Sequence, residues 1–204
     1  DDFFYRRNNE FWKDKAMQKL PALLDSTGML ACGEDLGMIP ATVPQVMDDL
    51  RILSLEIQRM PKSIEETFAH PANYPYLSVC TTSTHDMNPI RAWWEEDREV
   101  TNDFWHMILG NQGEAPYFCE PWICRQILDQ HVWSPAMLTI LPLQDWLSMD
   151  AQLRREDPNT ERINVPANSR HYWRYRMHLT LEQLASADEF NQTLADMIAA
   201  SGRK

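Results

Sequence analysis

The sequence lacks both a long apolar run and a cluster of basic residues. A membrane-spanning helix needs about 20 predominantly apolar residues, and no run among the 204 residues approaches that length. The formal net charge is −11, from 30 acidic residues against 19 Lys and Arg. Nucleic acids and anionic membrane surfaces attract basic patches. Neither a nucleic acid nor a membrane is therefore an expected partner.

Cysteines are few, and the common cofactor motifs are missing. Cys32 and Cys80 lie in apolar stretches, and the five-residue spacing of Cys119 and Cys124 fits no common zinc motif. The sequence contains no His-x-x-x-His pair, phosphate loop, dinucleotide-binding fingerprint or nucleophile elbow. We therefore expect a cytoplasmic protein with no cofactor and no metal.

Two stretches share one pattern, an apolar run that ends on an acidic residue. Residues 29–33 are followed directly by Glu34, and residues 76–84 are followed by His85 and Asp86. Apolar runs of this kind predict buried parallel strands. Active sites of parallel α/β folds lie at the carboxyl ends of the strands. The two acids are therefore expected to contribute to one site.

Helical patterns alternate with the predicted strands. Between and around the strands, helices are predicted from residues 9, 40, 88, 101, 121, 180 and 186 onward. This alternation predicts a parallel α/β fold. Four strands are half of the eight in a (β/α)₈ barrel, which usually needs about 250 residues. The strands are predicted at residues 29–33, 52–58, 77–82 and 137–141.

Capping residues indicate where several helices begin. Asn9 is expected to cap the first helix. Near the carboxyl terminus, Thr180 with Gln183 and Ser186 with Glu189 have the spacing of two capping boxes.

Glu34 and Asp86 are the first candidates for catalysis. Paired carboxylates suit glycosyl transfer, because one acid protonates the leaving oxygen while another stabilises an oxocarbenium-like centre. The plainer interpretation, favoured by composition alone, is that each acid caps a neighbouring turn or helix. His85 could donate to a substrate, bind a metal or lie in the core, and a metal is the weakest option because no further ligands converge. Most of the eight tryptophans are expected in the core, although some could stack on sugar rings.

Four motifs in matching order resemble the 4-α-glucanotransferases of glycoside hydrolase family 77, the amylomaltases and disproportionating enzymes. A lone GEDLG would be a weak match, but the resemblance runs over essentially the whole chain. Two further segments, RAWWEED at 91–97 and IQRMP at 57–61, are similar to the larger plant cytosolic type and its bacterial relatives. The four motifs are ACGEDLGMIP at 31–40, STHD at 83–86, LPLQD at 141–145 and HYWRYR at 171–176.

The resemblance implies a (β/α)₈ barrel that transfers 4-α-glucanosyl units between α-1,4-glucans, with retention and through a covalent glycosyl-enzyme. Maltooligosaccharides or soluble glucans would be its substrates. Glu34 would be the general acid/base on the fifth strand, Asp86 the transition-state stabiliser on the seventh, and His85 a sugar-binding residue. The other candidate substrate-binding residues are Gln58, Asn73 and Asn164.

The nucleophile expected from this resemblance is missing. In the family it is an Asp within an Arg-x-Asp-His pattern on the fourth strand, and no such pattern occurs here. We therefore expect residues 1–204 to be the carboxyl-terminal half of a catalytic barrel, strands five to eight. The amino-terminal half and any starch-binding domains would lie outside it. Such a fragment would be inactive alone, and its open sheet edges could self-associate.

Two other functional classes remain open from the sequence. The chain could be a non-catalytic glucan-binding or assembly module, or part of a glycoside hydrolase of the same clan. Whether the enzyme is a transferase or a hydrolase, substitution of Asp35 or Asp145 is expected to affect turnover less than substitution of Glu34 or Asp86.

Overall fold

Helices alternate with short strands in the computed structural model, which describes residues 6–203. Two 3₁₀-helices, Pro71–Asn73 and Pro158–Glu161, interrupt the longer loops. No helix within the described range is both long and apolar enough to span a bilayer. In chain order the other elements are α1 (Asn9–Asp25), α2 (Val43–Asp49), β1 (Ser54–Ile57), β2 (Ser78–Thr81), α3 (Ile90–Trp94), α4 (Arg98–Met107), α5 (Pro121–Val132), β3 (Leu138–Thr139), α6 (Leu143–Ser148), α7 (Leu181–Ala185) and α8 (Asp188–Ala200).

The three strands form one parallel sheet in the order β1-β2-β3. Leu55 pairs with Val79, and Val79 pairs with Leu138. A parallel bridge between Cys32 and Leu53 adds the segment before α2 to the outer edge of β1. The four predicted strand segments therefore lie side by side in chain order, and the predicted parallel α/β arrangement is confirmed.

The strands are shorter than predicted at both edges of this sheet. Residues 29–33 contribute a single bridge, and residues 137–141 contribute only the two residues of β3. Each of these segments has a strand neighbour on one side only. A backbone paired on one side makes half the ladder hydrogen bonds of a central strand, so the apolar pattern overstated their length.

The two faces of the sheet have different surroundings, because successive strand side chains point to opposite sides. Ser78 and Cys80 of β2 are fully buried on the face covered by α5. The thiol of Cys80 there lies 3.8 Å from the carbonyl oxygen of His131. Leu55 and Val79, which are half-buried, point to the other face and line an open cavity.

The main core lies among α3, α4 and α5. Its centre contains Trp94, Phe104, Ile123 and Leu128, none of which is exposed. The rings of Trp94 and Phe104 meet edge to face, with centroids 6.4 Å apart. Full burial of side chains of this size stabilises a fold by about 1.5–3 kcal/mol each. This core supports the covered face of the sheet and leaves the cavity face free.

A smaller apolar cluster packs α1 and α2 against the start of β1. Gly33 lies beside this cluster, directly before Glu34. A Cβ atom at Gly33 would lie 2.8 Å from the terminal methyl of Met47 and 3.4 Å from Ile52 Cγ2. A larger residue at this position would displace the flexible end of the Met47 side chain.

One of the two predicted capping boxes is present. Thr180 accepts a hydrogen bond from the Gln183 N–H at 3.1 Å, and its own N–H donates to the Gln183 side chain at 2.8 Å. The prediction for Ser186 is wrong, because α8 begins at Asp188 and the Ser186 hydroxyl donates to the carbonyl of Gln183. Ser186 is the residue at the end of α7 rather than at the start of α8. The chain bends between the two helices after it.

The predicted cap at Asn9 is also wrong. Asn9 lies inside the first turn of α1, where its side-chain oxygen accepts a hydrogen bond from the Ala41 N–H at 3.2 Å. The side chain therefore joins α1 to the segment that leads into α2, a tertiary contact that local sequence does not reveal.

Candidate active site

An open cavity of about 640 Å³ lies on the free face of the sheet. Glu34, His85 and Asp86 line it together, although they come from segments that follow two different strand positions. The three polar residues lie just beyond the carboxyl ends of their strand positions, which is where parallel α/β folds hold their sites. The apolar lining residues are Leu36, Leu55, Met60, Val79, Met87 and Ile140.

Glu34 is delivered to the cavity by the bridge at the edge of β1. The N–H of Gly33 donates to the carbonyl of Leu53 at 2.8 Å, which fixes the backbone directly before the acid. One carboxylate oxygen of Glu34 accepts the N–H of Leu36 at 3.2 Å. The other has no hydrogen-bond partner in the described part of the chain. The acid therefore caps its own turn, as the plainer interpretation predicted, and still offers one oxygen to the cavity.

His85 and Asp86 form a small polar group with two residues from a distant segment. Nε2 of His85 lies 3.4 Å from Oδ2 of Asp86, and both side chains are about half exposed. The side-chain amide of Asn164 donates to Oδ1 of Asp86 at 2.5 Å, while its backbone N–H donates to the carbonyl of His85 at 3.1 Å. The ring of Trp173 lies 4.7 Å from the imidazole of His85, tilted by 43°. Asn164 thus orients Asp86, and Trp173 adds an exposed aromatic face.

The segment that carries Asn164 and Trp173 is anchored by a buried charge pair. Nη1 of Arg91, in α3, lies 4.0 Å from a carboxylate oxygen of Glu161, whose side chain is 1% exposed. Arg91 also donates to the carbonyl of Arg155 at 2.6 Å. Burial raises the pKa of Glu161 to about 7, and the positive charge of Arg91 opposes that rise. Neither oxygen of Glu161 has a hydrogen-bond donor in the described structure.

Asp35 is more important to the fold than its sequence position indicated. It is 4% exposed, and one of its oxygens accepts the N–H of Leu55 in β1 at 2.9 Å. The other lies 2.7 Å from Nζ of Lys62, which also contacts Glu56 at 2.6 Å. Loss of a buried partner leaves the remaining charge uncompensated. Asp35 therefore has a structural role, and its smaller effect on turnover than that of Glu34 stays a prediction.

Asp145 also has a structural role. It is fully buried at the start of α6. Its oxygens accept hydrogen bonds from the hydroxyl of Thr82 at 2.5 Å, the hydroxyl of Ser83 at 3.1 Å and the N–H of Ile90 at 2.8 Å. Burial raises the pKa of Asp145, and the hydrogen bond from Thr82 is the main opposing influence. The Ile90 contact lies at the start of α3, while the side-chain amide of Asn88 donates to Glu96 at 2.9 Å.

Two candidate substrate-binding residues lie away from the cavity. Gln58 follows the same alternation as Glu56, so its side chain points to the covered face. There it donates to Gln130 of α5 at 2.7 Å. Asn73 ends the 3₁₀-helix before β2 and is exposed at the amino end of that strand, opposite the cavity rim. The structure brings Asn164 to the polar group but not these two.

No group of three or more His, Cys, Asp and Glu side chains within residues 6–203 is arranged to hold a metal ion. The polar residues of the cavity instead offer a proton donor or acceptor, a half-exposed carboxylate and hydrogen-bond donors. This set suits general acid–base chemistry.

Comparison with known protein families identifies the family to which this chain belongs. The sequence profile of the family Glyco_hydro_77, described as 4-alpha-glucanotransferase, matches residues 2–181. The chain belongs to the 4-alpha-glucanotransferase family. The motifs around Glu34 and Asp86 were therefore assigned to the correct family from sequence.

The 4-alpha-glucanotransferase relatives are longer than this chain. The protein named 4-alpha-glucanotransferase DPE2 from Oryza sativa subsp. japonica is 41% identical over 202 residues, which are 99% of this chain and 21% of that protein. The 4-alpha-glucanotransferase of Chlamydia muridarum is 31% identical over 191 residues, covering 90% of this chain and 35% of that protein. The chain thus spans about a fifth to a third of these relatives.

A solved 4-alpha-glucanotransferase family structure shares the fold. The amylomaltase from Streptococcus agalactiae, determined in complex with acarbose, superposes with a TM-score of 0.67 at 18% identity. The match covers 92% of this chain and 35% of the amylomaltase. The helices and strands described above are thus arranged as in part of an amylomaltase.

Proposed function

We propose that this chain is the carboxyl-terminal half of the catalytic barrel of a 4-alpha-glucanotransferase. The whole enzyme would transfer 4-α-glucanosyl units between α-1,4-glucans with retention. The observation that carries the proposal is the convergence of Glu34, His85 and Asp86 on one cavity of about 640 Å³ at the carboxyl ends of parallel strands. Family membership supports the reaction class, and the position of these three side chains supports their proposed roles in it.

The half-barrel arrangement is supported by the edges of the sheet. The strand segments follow one another in chain order and in parallel, as four successive strands of a barrel do. Apolar side chains are left in solvent at both edges, with Met29 77% exposed and Ile140 61% exposed. A closed barrel has no free edge. The remaining strands of the proposed barrel would pair with these two edges, and in the isolated chain the same edges would favour self-association.

Glu34 is the proposed general acid and base. Its unpaired oxygen would protonate the glycosidic oxygen of the leaving sugar, and the resulting carboxylate would later take the proton from the incoming sugar hydroxyl. Asp86 would stabilise the positive charge that develops on the anomeric carbon, because its carboxylate is held in place by Asn164. Each role uses an acid whose side chain lines the cavity.

The nucleophile would come from outside this chain. A retaining enzyme needs a second carboxyl group about 5–5.5 Å from the acid/base. The Arg-x-Asp-His pattern that supplies it in the family does not occur in these 204 residues. The isolated chain is therefore proposed to be inactive, since groups that act together lose nearly all their rate when one is removed.

A maltooligosaccharide or soluble glucan is the proposed substrate. The amylomaltase that shares the fold was determined with acarbose, which supports an oligosaccharide as the class of ligand. His85 can donate a hydrogen bond to a sugar hydroxyl, and the exposed face of Trp173 can stack on a sugar ring. The cysteines described as free favour a reducing, cytoplasmic location for the enzyme.

Product analysis of the full-length protein tests this function. The protein is incubated with maltotriose, and the oligosaccharides are separated by chromatography. Products both longer and shorter than maltotriose would support glucanosyl transfer. Glucose and maltose alone would identify a hydrolase instead, and no reaction would identify a glucan-binding or assembly module.

A further inference from the structure

One loop, residues 82–90, carries both His85 and Asp86 into the cavity. Its middle makes few contacts with the sheet. Within the loop the N–H of Met87 donates to the carbonyl of Thr84 at 3.1 Å, and the contacts of Asn164 come from an equally irregular segment. The position of the two site residues therefore depends on how the ends of the loop are held.

A buried acid holds both ends of this loop. At the first end, Oδ2 of Asp145 accepts the hydroxyls of Thr82 at 2.5 Å and Ser83 at 3.1 Å. At the other end, Oδ1 accepts the N–H of Ile90 at 2.8 Å. Asp145 belongs to α6, which follows the neighbouring strand β3. The acid therefore fixes the loop to an element outside it.

Arg59 also contacts both ends of this loop. Nη2 of Arg59 donates to the carbonyl of Thr82 and to the carbonyl of Asn88, each at 2.8 Å. Its guanidinium lies 4.9 Å from the centre of the Trp93 ring, which limits its movement. Arg59 follows β1, on the other side of β2 from Asp145. The loop is thus held from both neighbouring strands.

We propose that Arg59 and Asp145 are positioning residues for glucanosyl transfer, which clamp the loop ends so that Asp86 faces the reacting sugar. This inference rests on the function proposed above. Neither residue lines the cavity, so neither acts on the substrate directly. Displacement of a catalytic group by about 1 Å can lower a rate about 100-fold. The clamp should therefore affect kcat through Asp86 more than it affects KM through the single sugar contact of His85.

A double variant that removes both hydroxyls at the first loop end tests the clamp. Thr82→Val with Ser83→Ala takes away two hydrogen bonds to Asp145 while the backbone bonds to Arg59 remain. In the full-length protein, assayed where circular dichroism shows the folded state, we expect kcat with maltotriose to fall at least about 10-fold, with KM changed less than about 3-fold. Amide hydrogen exchange of residues 84–88 should accelerate by at least about 10-fold.

Two comparison variants separate positioning from a general structural role. Thr82→Ser with Ser83→Thr keeps both hydroxyls and should retain kcat within about 3-fold of wild type. Thr139→Val with Ser134→Ala removes two hydroxyls around Cys80, on the covered face of the sheet and outside residues 82–90. That pair should change neither kcat nor the exchange of residues 84–88.

The outcomes distinguish this inference from the proposed function. Wild-type kcat and exchange in the double variant would overturn the clamp, as would an equal loss of kcat in the variant with both substitutions around Cys80. If the wild-type protein transferred no glucan, the proposed function would fail, and the exchange comparison would still decide whether the ends of the loop hold its centre.

Discussion

The titration of Glu161 gives a quantitative prediction for stability. Burial raises the pKa of this acid from its usual 4.5 to about 7, and the nearest positive group, Nη1 of Arg91, lies 4.0 Å away. At pH values between 4.5 and 7, such a carboxyl binds more protons in the folded state than in the unfolded state. Its stabilising contribution is complete below pH 4.5 and is lost as the pH rises through 7. The difference between the folded and unfolded pKa values corresponds to about 3 kcal/mol of stability.

Glu161→Gln tests this calculation, because a neutral amide of nearly the same shape cannot ionise. The melting temperature of the variant relative to wild type should rise between pH 4.5 and pH 8, by roughly 2 °C if about 3 kcal/mol is involved, because the entropy of unfolding grows with the length of the protein. Differential scanning fluorimetry of the full-length protein across this range measures the difference, and other titrating groups cancel in the comparison. Glu156→Gln, an exposed neighbour, is the control. A difference that does not vary with pH would refute the assignment of a raised pKa to Glu161.

Three further variants test the residues around the cavity, with exposed residues as controls. Asp86→Asn should lower kcat with maltotriose about 10²–10³-fold, since an amide stabilises developing positive charge poorly, while Asp103→Asn should leave it unchanged. Asp35→Asn should lower the free energy of unfolding by about 1–3 kcal/mol through loss of the Lys62 ion pair; a melting temperature as high as that of Asp103→Asn would argue against this. Trp173→Ala should raise KM several-fold if a sugar stacks there, whereas Trp133→Ala, on an exposed turn after α5, should not.

The parallel order of the strands could be predicted from sequence because it depends on local features. Apolar runs separated by helical patterns leave few ways to form a sheet, and a helical crossover favours parallel neighbours. The lengths of the outer strands could not be predicted. They depend on whether a second strand is present on the far side, and a sequence pattern does not contain that information.

The position of two acids at the cavity rim was predictable for a similar reason. Glu34 and Asp86 each follow a predicted strand, and parallel strands bring their carboxyl ends to one edge of a sheet. Gln58 and Asn73 were misplaced because each depends on a finer property. Gln58 is one residue out of register with the side of the sheet that lines the cavity, and Asn73 precedes its strand rather than following it.

The buried acids were the least predictable residues of the site. Asp35 and Asp145 look like ordinary turn acids in sequence, yet their hydrogen-bond donors come from residues 20 to 63 positions away. A carboxylate can be buried only where hydrogen-bond donors reach it, and here those donors are far away in sequence. Both acids lie within segments that resemble family motifs, and this was the one sequence signal that pointed to them.

The central claim is that Glu34 supplies the proton in glucanosyl transfer. Its most direct test is the rate at which the full-length protein converts maltotriose to longer and shorter oligosaccharides, measured for wild type, Glu34→Gln and the exposed control Glu66→Gln. We predict that Glu34→Gln lowers this rate at least about 100-fold, because its amide cannot donate the proton needed by the leaving oxygen. Glu66→Gln should retain the wild-type rate. Transfer by Glu34→Gln at the wild-type rate would contradict the claim.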